Sequence, residues 1–258
     1  MATSTEAGTQ YAIRAVKRVC DILDVLHSHP EGVSLADVAE STELPKSSVF
    51  RYLSALEARR YVERDHSGAF FRLGVAFRPD YAREVDVLVE CARLHLERLR
   101  DALGETTNLG VLDGADVTHV LVVESPHMMR LAARVGEHGA LHTTALGKAM
   151  AAELSEERLR TLLGAADFSP KTDRAIASKD EFLAEIERVR ESRYGVDDCE
   201  NQPDGRCVAV ALRGLPFSAG ISVSAPATRL PGEEVPAVAR RLRHAADRIS
   251  KQYLAGRI

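Results

Sequence analysis

The sequence predicts an α+β chain in two parts: a small helical segment closed by a hairpin, then a larger segment built on a mostly antiparallel sheet, with a long linker helix between them. Two observations predict it. Apolar residues recur at helical spacing through the first sixty positions and again over 80–103. Past Gly104 the spacing gives way to short valine- and isoleucine-rich runs bounded by turn residues. The 258-residue length suits two domains, and no internal repeat or low-complexity segment is present.

The first helix is expected over 11–29, with Ile13, Val16, Val19, Ile22, Leu23 and Leu26 on one face. HSHPEG breaks it. Ser34 then caps a short helix, with Asp37 three residues on, close to a capping box. STELP is a second break, and Pro45 suits the first turn of a helix running to about Arg59. YVERD, the turn HSG and AFFRL make a hairpin. The helix over 80–103 carries Val85, Leu88, Val89, Ala92, Leu96, Leu99 and Leu103 as one stripe, which suits an element that couples two halves. TNLGVLDG and DVTHVLVVES read as strands joined at Asp113-Gly114, with LAARV as a third. Helices follow near 145–154, 155–163 and 179–193, then the strands RCVAVALRG and AGISVSAP, then a helix from about Glu233 to Tyr253. The resulting division is 1–79, 80–104 and 105–258.

Hydrophobic residues make up 45% and charged residues 28%, as in a chain with real cores. No apolar run approaches the ~20 residues of a membrane span. The small, polar N-terminus lacks a leader pattern, and four scattered cysteines form no disulfide framework, so a reducing cytoplasm is expected. Net charge is −4, but 46–78 holds seven basic residues (Lys46, Arg51, Arg59, Arg60, Arg64, Arg72, Arg78) against Glu57, Glu63 and Asp65. A basic segment inside an acidic chain marks a local surface for phosphates.

Two short helices, a tight break and a hairpin make a winged helix-turn-helix. Ala39 is small where the helices must approach, and Val49, Leu53 and Leu56 turn the second helix inward. That leaves Lys46, Ser47, Ser48, Arg51 and Tyr52 near its N-terminus, the end that readers of this type place in the major groove of duplex DNA. Arg51 suits a guanine edge or a phosphate. The hairpin would be the wing, with Arg64 and Arg72 near the adjacent backbone. The position four residues after Ala39 usually needs a left-handed backbone and a glycine. Here it is Glu43, so either the turn differs or the domain carries ~1–2 kcal/mol of strain.

In the second part, HTTALGKAM turns abruptly from polar to helical, with Thr143 and Thr144 as N-cap candidates leaving N–H groups of Ala145, Leu146 and Gly147 for an anion. It is not a phosphate-binding P-loop, because His142 stands where a glycine is required and no Ser or Thr follows Lys148. YGVDDCENQPDGRC ends in a loop carrying Asp197 and Asp198, with a strand from Cys207. The next strand alternates Ile221, Ser222, Val223, Ser224, and buried hydroxyls need partners that a polar ligand could provide. An edge strand with both serines in solvent is the alternative, as is an inert buried Cys207.

On SLADVAESTELPKSSVFRYLSALEARRYVER and FFRLG in the first part, and GALHTTALGKAMAAEL, YGVDDCENQPDGRCVAV and AGISVSAP in the second, the chain resembles the IclR family of bacterial transcriptional regulators. The pattern departs at Glu43, at Cys199, where an acidic residue is common, and at Ala225, where glycine is usual. The resemblance implies a winged-helix domain, a linker helix and an effector-binding domain with a curved antiparallel sheet flanked by helices. It implies homodimers through the DNA-binding half, commonly dimers of dimers, and control of catabolic operons by small metabolites, often carboxylates or aromatics. Position by position it places Ala145, Leu146, Asp197, Cys207, Ser222 and Ser224 at the effector pocket, with Met128, Met129 and Leu141 as apolar walls. No cofactor is expected. Three other readings stand beside it: a thiol enzyme using Cys207, His142 and Asp197; a metal site drawn from Cys199, Cys207 and histidines 119, 127, 138 and 142, none at zinc-like spacing; and a winged helix that binds only protein.

Overall fold

The computed structural model describes residues 14–30, 32–59, 61–65, 68–74, 77, 79–131, 133–164, 166 and 168–256. Ile13, Arg60, His66, Ser67 and Arg78, invoked above, lie outside them. Contacts divide the chain into two units, Met1–Ala82 and Arg83–Ile258.

The first unit contains α1 (Arg14–Ser28), β1 (Val33–Ser34), α2 (Leu35–Ser41), α3 (Lys46–Glu57), β2 (Val62–Arg64) and β3 (Phe70–Leu73). Ile22, Leu26, Val38, Ala39, Val49, Leu53, Val62 and Phe71 form its core. Ser34 caps α2: its Oγ accepts from the Asp37 N–H and donates to the Asp37 carboxylate at 2.7 Å. Such a cap contributes about 1 kcal/mol. Between α2 and α3, the Leu44 N–H reaches the Ala39 carbonyl at 3.1 Å, and Glu43 has φ +54°. The turn therefore keeps its left-handed shape and the glutamate carries the strain. The hairpin closes through Asp65, whose carboxylate accepts from the Ala69 and Phe70 N–H groups, and through Gly68 at φ +72°. The two-residue β1, which the sequence did not announce, pairs with β3, so β3 is central in a three-stranded sheet.

Helix α4 (Pro79–Leu103) lays Leu88, Ala92, Leu96 and Leu99 into the core of the second unit. That unit continues with β4 (Thr106–Asp113), β5 (Asp116–Val123), β6 (His138–Ala140), α5 (Ala145–Ala151), α6 (Glu156–Gly164), α7 (Lys179–Ser192), β7 (Gly195–Asp198), β8 (Gly205–Leu212), β9 (Ala219–Pro226) and α8 (Val235–Ala255). The six strands pair antiparallel in the order β6-β5-β4-β9-β8-β7. Gly114 and Ala115 turn β4 into β5.

Strand alternation sorts the sheet's two faces. Leu109, Val208, Val210, Ile221 and Val223 join the α4 and α8 side chains in one core. Ala209 and Val117 meet Ala145, Leu146, Ala149 and Met150 of α5 on the other. Glycines allow α5 its close approach. A Cβ at Gly147 would stand 2.2 Å from the Leu141 carbonyl oxygen, and one at Gly195 would stand 2.5 Å from that of Ala145. The start of α5 is thereby held against the start of β7.

Two expectations are corrected. The described residues of LAARV are not a strand, because Arg134 and Val135 are exposed and it is His138–Ala140 that pairs with Asp116–Thr118. Asp197 and Asp198, expected in a loop, belong to the edge strand β7, whose polar composition hides it, and β8 begins at Gly205.

Candidate functional site

In the first unit, α3 buries Val49 and Leu53 and turns its other side to solvent. Lys46, Ser47 and Arg51 are exposed, Ser48 is half-buried, and Tyr52 is half-buried with its ring against the core. Pro45 provides no side-chain cap, so the first N–H groups of α3 are left to external acceptors. A neighbour that sequence reasoning missed is Phe50, an aromatic 46% exposed on the same helix. It precedes Arg51 on α3, and the Arg64 guanidinium lies 5.6 Å from its ring centroid.

The wing arginines are engaged within the unit. Arg64 Nε pairs with Glu57 at 3.0 Å, and its guanidinium lies 4.8 Å from the Phe71 ring centroid and 5.6 Å from that of Phe50. Arg72, expected at the DNA backbone, is only 7% exposed. It sits on the central strand opposite Glu63. Buried there, the side chain does not stand on the open surface of the wing.

In the second unit, Ala145, Leu146, Asp197, Cys207, Ser222 and Ser224 line one cavity of about 70 Å³ between α5 and the sheet. Thr144 caps α5 by accepting from the Gly147 N–H at 3.0 Å. Asp197 and Cys207 face each other across β7 and β8, and Cys207 and Ser224 across β8 and β9. Because β9 is an inner strand, the solvent-facing alternative for its serines does not hold. Behind the wall, Asn108 Nδ2 donates to Ser222 Oγ and to Ser224 Oγ, each at 3.1 Å, and the Cys207 thiol donates to Ser224 Oγ at 3.2 Å. Sequence reasoning missed Asn108, whose signal was an amide inside the apolar run of β4. It also missed His119, Leu131, Glu137, Asn201 and Gln202 at the cavity. Met128 and Met129 are 98% and 78% exposed, and Leu141 packs in a separate cluster around α6 and α7, so none of the three forms a wall. Leu131 and Leu146 provide the apolar lining instead.

Beneath the cavity the buried Lys148 donates to the Val196 carbonyl at 2.8 Å and pairs with Glu200, with Glu185 at 4.0 Å. Asp197 accepts from the Glu200 N–H at 2.8 Å and the Asn201 N–H at 3.2 Å. Burial raises the Asp197 pKa, against the pull of those N–H groups and of Lys148, and burial likewise raises Glu200. Burial lowers His119, which favours the neutral ring. The cavity is lined by no lysine or arginine among the described residues.

This arrangement is not that of a thiol enzyme. Burial pushes the Cys207 thiol up, away from thiolate, and His142 stacks on Phe168 at 4.6 Å instead of lining the cavity. No group of three or more possible metal ligands occurs among the described residues. Nor is any described helix long and apolar enough to cross a membrane.

Comparison with known proteins bears on both sites. Residues 15–66 match the model of the IclR helix-turn-helix domain, and residues 80–251 match that of the bacterial transcriptional regulator IclR C-terminal domain. The HTH-type transcriptional regulator BhcR of Paracoccus denitrificans is 32% identical over 242 residues, covering 92% of this chain and 86% of that protein. KdgR of Escherichia coli is 28% identical over 246 residues, covering 93% of each. The crystal structure of Thermotoga maritima IclR superposes with a TM-score of 0.63 at 26% identity, over 94% of this chain and 99% of that one. These relatives are transcriptional regulators. With its helix-turn-helix unit and its C-terminal effector unit, the chain belongs to the IclR family of bacterial transcriptional regulators.

Proposed function

We propose that this regulator represses a catabolic operon in the cytoplasm and is controlled by a small carboxylate bound between α5 and the sheet. The observation that carries the proposal is the convergence of Ala145, Leu146, Asp197, Cys207, Ser222 and Ser224 on one cavity of about 70 Å³. A cavity that accepts a benzene ring is roughly 150 Å³, so the size favours a metabolite of a few carbons over an aromatic one. With no lysine or arginine on the wall among the described residues, a carboxylate is held by donors: the serine hydroxyls, and Asp197 itself once protonated. Repression is the activity named for a further relative, the HTH-type transcriptional repressor AllR of E. coli, 30% identical over 233 residues.

On the DNA side, Lys46, Ser47, Ser48, Arg51 and Tyr52 meet the major groove, and a homodimer, paired again as a dimer of dimers, matches a near-palindromic operator. The ligand binds one arrangement of the regulator better and shifts its population toward that arrangement. A coupling of ~1–3 kcal/mol changes operator affinity ~5–150-fold.

The experiment is a titration of the protein's own promoter fragment at several salt concentrations, repeated with a panel of two- to four-carbon carboxylates. Expected are a salt slope near 0.9 log units for each phosphate contacted and a carboxylate-dependent change in affinity that Ser222→Val and Asp197→Leu abolish. A flat salt response would overturn the DNA reading, and an undiminished response in both variants would overturn the cavity.

A further inference from the structure

We propose that Asn108 sets the cavity's preference for a negatively charged ligand, by engaging a lone pair of each of the Ser222 and Ser224 hydroxyls and so biasing both toward donating. The inference rests on the reading of the cavity as the effector site.

A serine hydroxyl has one proton to give and two lone pairs to receive with. Left free to rotate, it serves a donor or an acceptor equally. Here it is not free. Asn108 stands in β4 opposite Ser222, fully buried, and its carboxamide offers one proton to each serine oxygen at 3.1 Å. Ser224 Oγ also receives the Cys207 thiol at 3.2 Å. The single thiol proton is shared with Asp197 on its other side, so the amide engages one lone pair of Ser224 without competition and the serine proton is not needed by Asn108. Ser222 has one lone pair engaged by the amide, which leaves it one proton and one lone pair and tilts it toward donating. Two hydroxyl protons on one face of β9 then point at whatever occupies the space in front of Ala145 and Leu146. Two convergent O–H donors suit the two oxygens of a carboxylate and repay a neutral amide poorly, since its NH2 would meet a donor.

Asn108 does this without lining the cavity. It is a positioning residue, and its orientation has a cost that marks it. Asn108 Oδ1 is buried and accepts no hydrogen bond among the described residues. The opposite orientation would turn that oxygen toward the serines and take their protons, leaving the NH2 group without an acceptor instead. The observed orientation leaves the oxygen unserved and keeps the serine protons for the ligand.

The test uses the full-length chain and two probes of equal size, glycolate and glycolamide, titrated by calorimetry. Wild type is expected to prefer glycolate. In Asn108→Leu, which removes the amide at similar volume, that preference should fall about 10-fold or more, while operator affinity without ligand stays at the wild-type value and so reports an intact fold. Asn108→Asp, which accepts protons from the serines, should lower it further. In the Asn108→Leu background, Ser222→Ala should cost less than it does alone, because the hydroxyl it removes is no longer oriented. If Asn108→Leu or, should that variant fail to fold, Asn108→Asp keeps the wild-type preference while Ser222→Val loses glycolate, the role of Asn108 is overturned and the cavity stands. If wild type binds neither probe, or if Ser222→Val and Asp197→Leu bind glycolate as wild type does, the cavity reading fails and takes this one with it.

Discussion

The two units present polar groups under opposite conditions. On α3 the polar side chains stand in solvent, already hydrated, around a core that needs nothing from them. At the inner end of the cavity the polar groups are buried or half-buried and have partners within the fold: Lys148 has Glu200, Asp197 has two backbone N–H groups, and Ser222 and Ser224 have Asn108. A surface that meets a polyanion is free to leave its charges in water until the partner arrives. A site that encloses a small solute is built from groups that water no longer reaches, so every one must find a partner in the fold. Substitutions of the exposed α3 side chains should therefore act on operator affinity alone, and substitutions of the buried polar groups behind the cavity on stability as well.

The largest effect tests that contrast at Lys148, 1% exposed. Lys148→Met keeps the length and removes the charge, leaving Glu200 and Asp197 buried without their cation. Truncating one partner of a buried ion pair costs about 3–5 kcal/mol. Denaturant unfolding should show that loss, while operator affinity measured on folded protein changes little. Unchanged stability would mean that the buried network is as dispensable as a surface pair.

Arg51→Ala should sharpen the comparison from the other side. Removing a groove-facing arginine costs about 1–3 kcal/mol of binding with stability nearly unchanged, read by operator titration beside thermal melting. Arg72→Ala should do the reverse within the same unit, lowering stability because the side chain is buried on the central strand of the wing, and leaving the salt slope of binding alone. An equal loss of affinity in both would restore the wing to the interface.

The contrast also explains what the sequence disclosed. The inward face of α3 is written in one helix turn after another, so Val49 and Leu53 could be told from Lys46 and Arg51 by spacing. Thr144 and Ser34 announced their caps by residue type and position. The cavity is assembled from β5, α5, β7, β8 and β9 with β4 behind them, and no local period links residue 108 to residue 222. Resemblance to a family placed six of its residues, but Asn108 and His119 became visible only through strand register, and Glu137 through the backbone bond its carbonyl accepts from His119. A charge in a hairpin reads as exposed, yet Arg72 is buried on β3, which becomes a central strand only because a two-residue β1 that no pattern announces pairs with it.

A smaller effect concerns protons. Asp197 has its pKa raised by burial. A carboxylate ligand beside it favours the protonated acid, so affinity should strengthen as pH falls through that raised range, by at most about tenfold per pH unit for one proton taken up. The folded second unit also binds more protons there than the unfolded chain, so its stability falls as pH rises through the same window. His119 and Glu137 face the same space, and Lys148 and Glu200 stand behind it. Asp197→Asn isolates the contribution, since it should bind the carboxylate with a much flatter pH profile. A profile as steep as that of wild type would assign the proton to another of these groups.

The smallest effect lies in the turn between α2 and α3, where Glu43 holds φ +54°. A side chain in that conformation costs about 1–2 kcal/mol, and glycine avoids it at an entropic cost of about 0.5–1 kcal/mol in the unfolded chain. Glu43→Gly should thus stabilise the first unit by about 0.5 kcal/mol, a rise of roughly 2–4 °C in its melting temperature, with operator affinity unchanged. Glu43→Ala, which removes the same carboxylate but keeps a Cβ, should gain nothing. The second unit offers the matching experiment at Cys199, φ +62°. There the side chain is buried, so Cys199→Gly relieves the same strain but empties packed space, and the net change should be near zero or a loss. A gain at Glu43 without one at Cys199 would show that the same backbone strain is separable from packing in the exposed unit and bound up with it in the buried one.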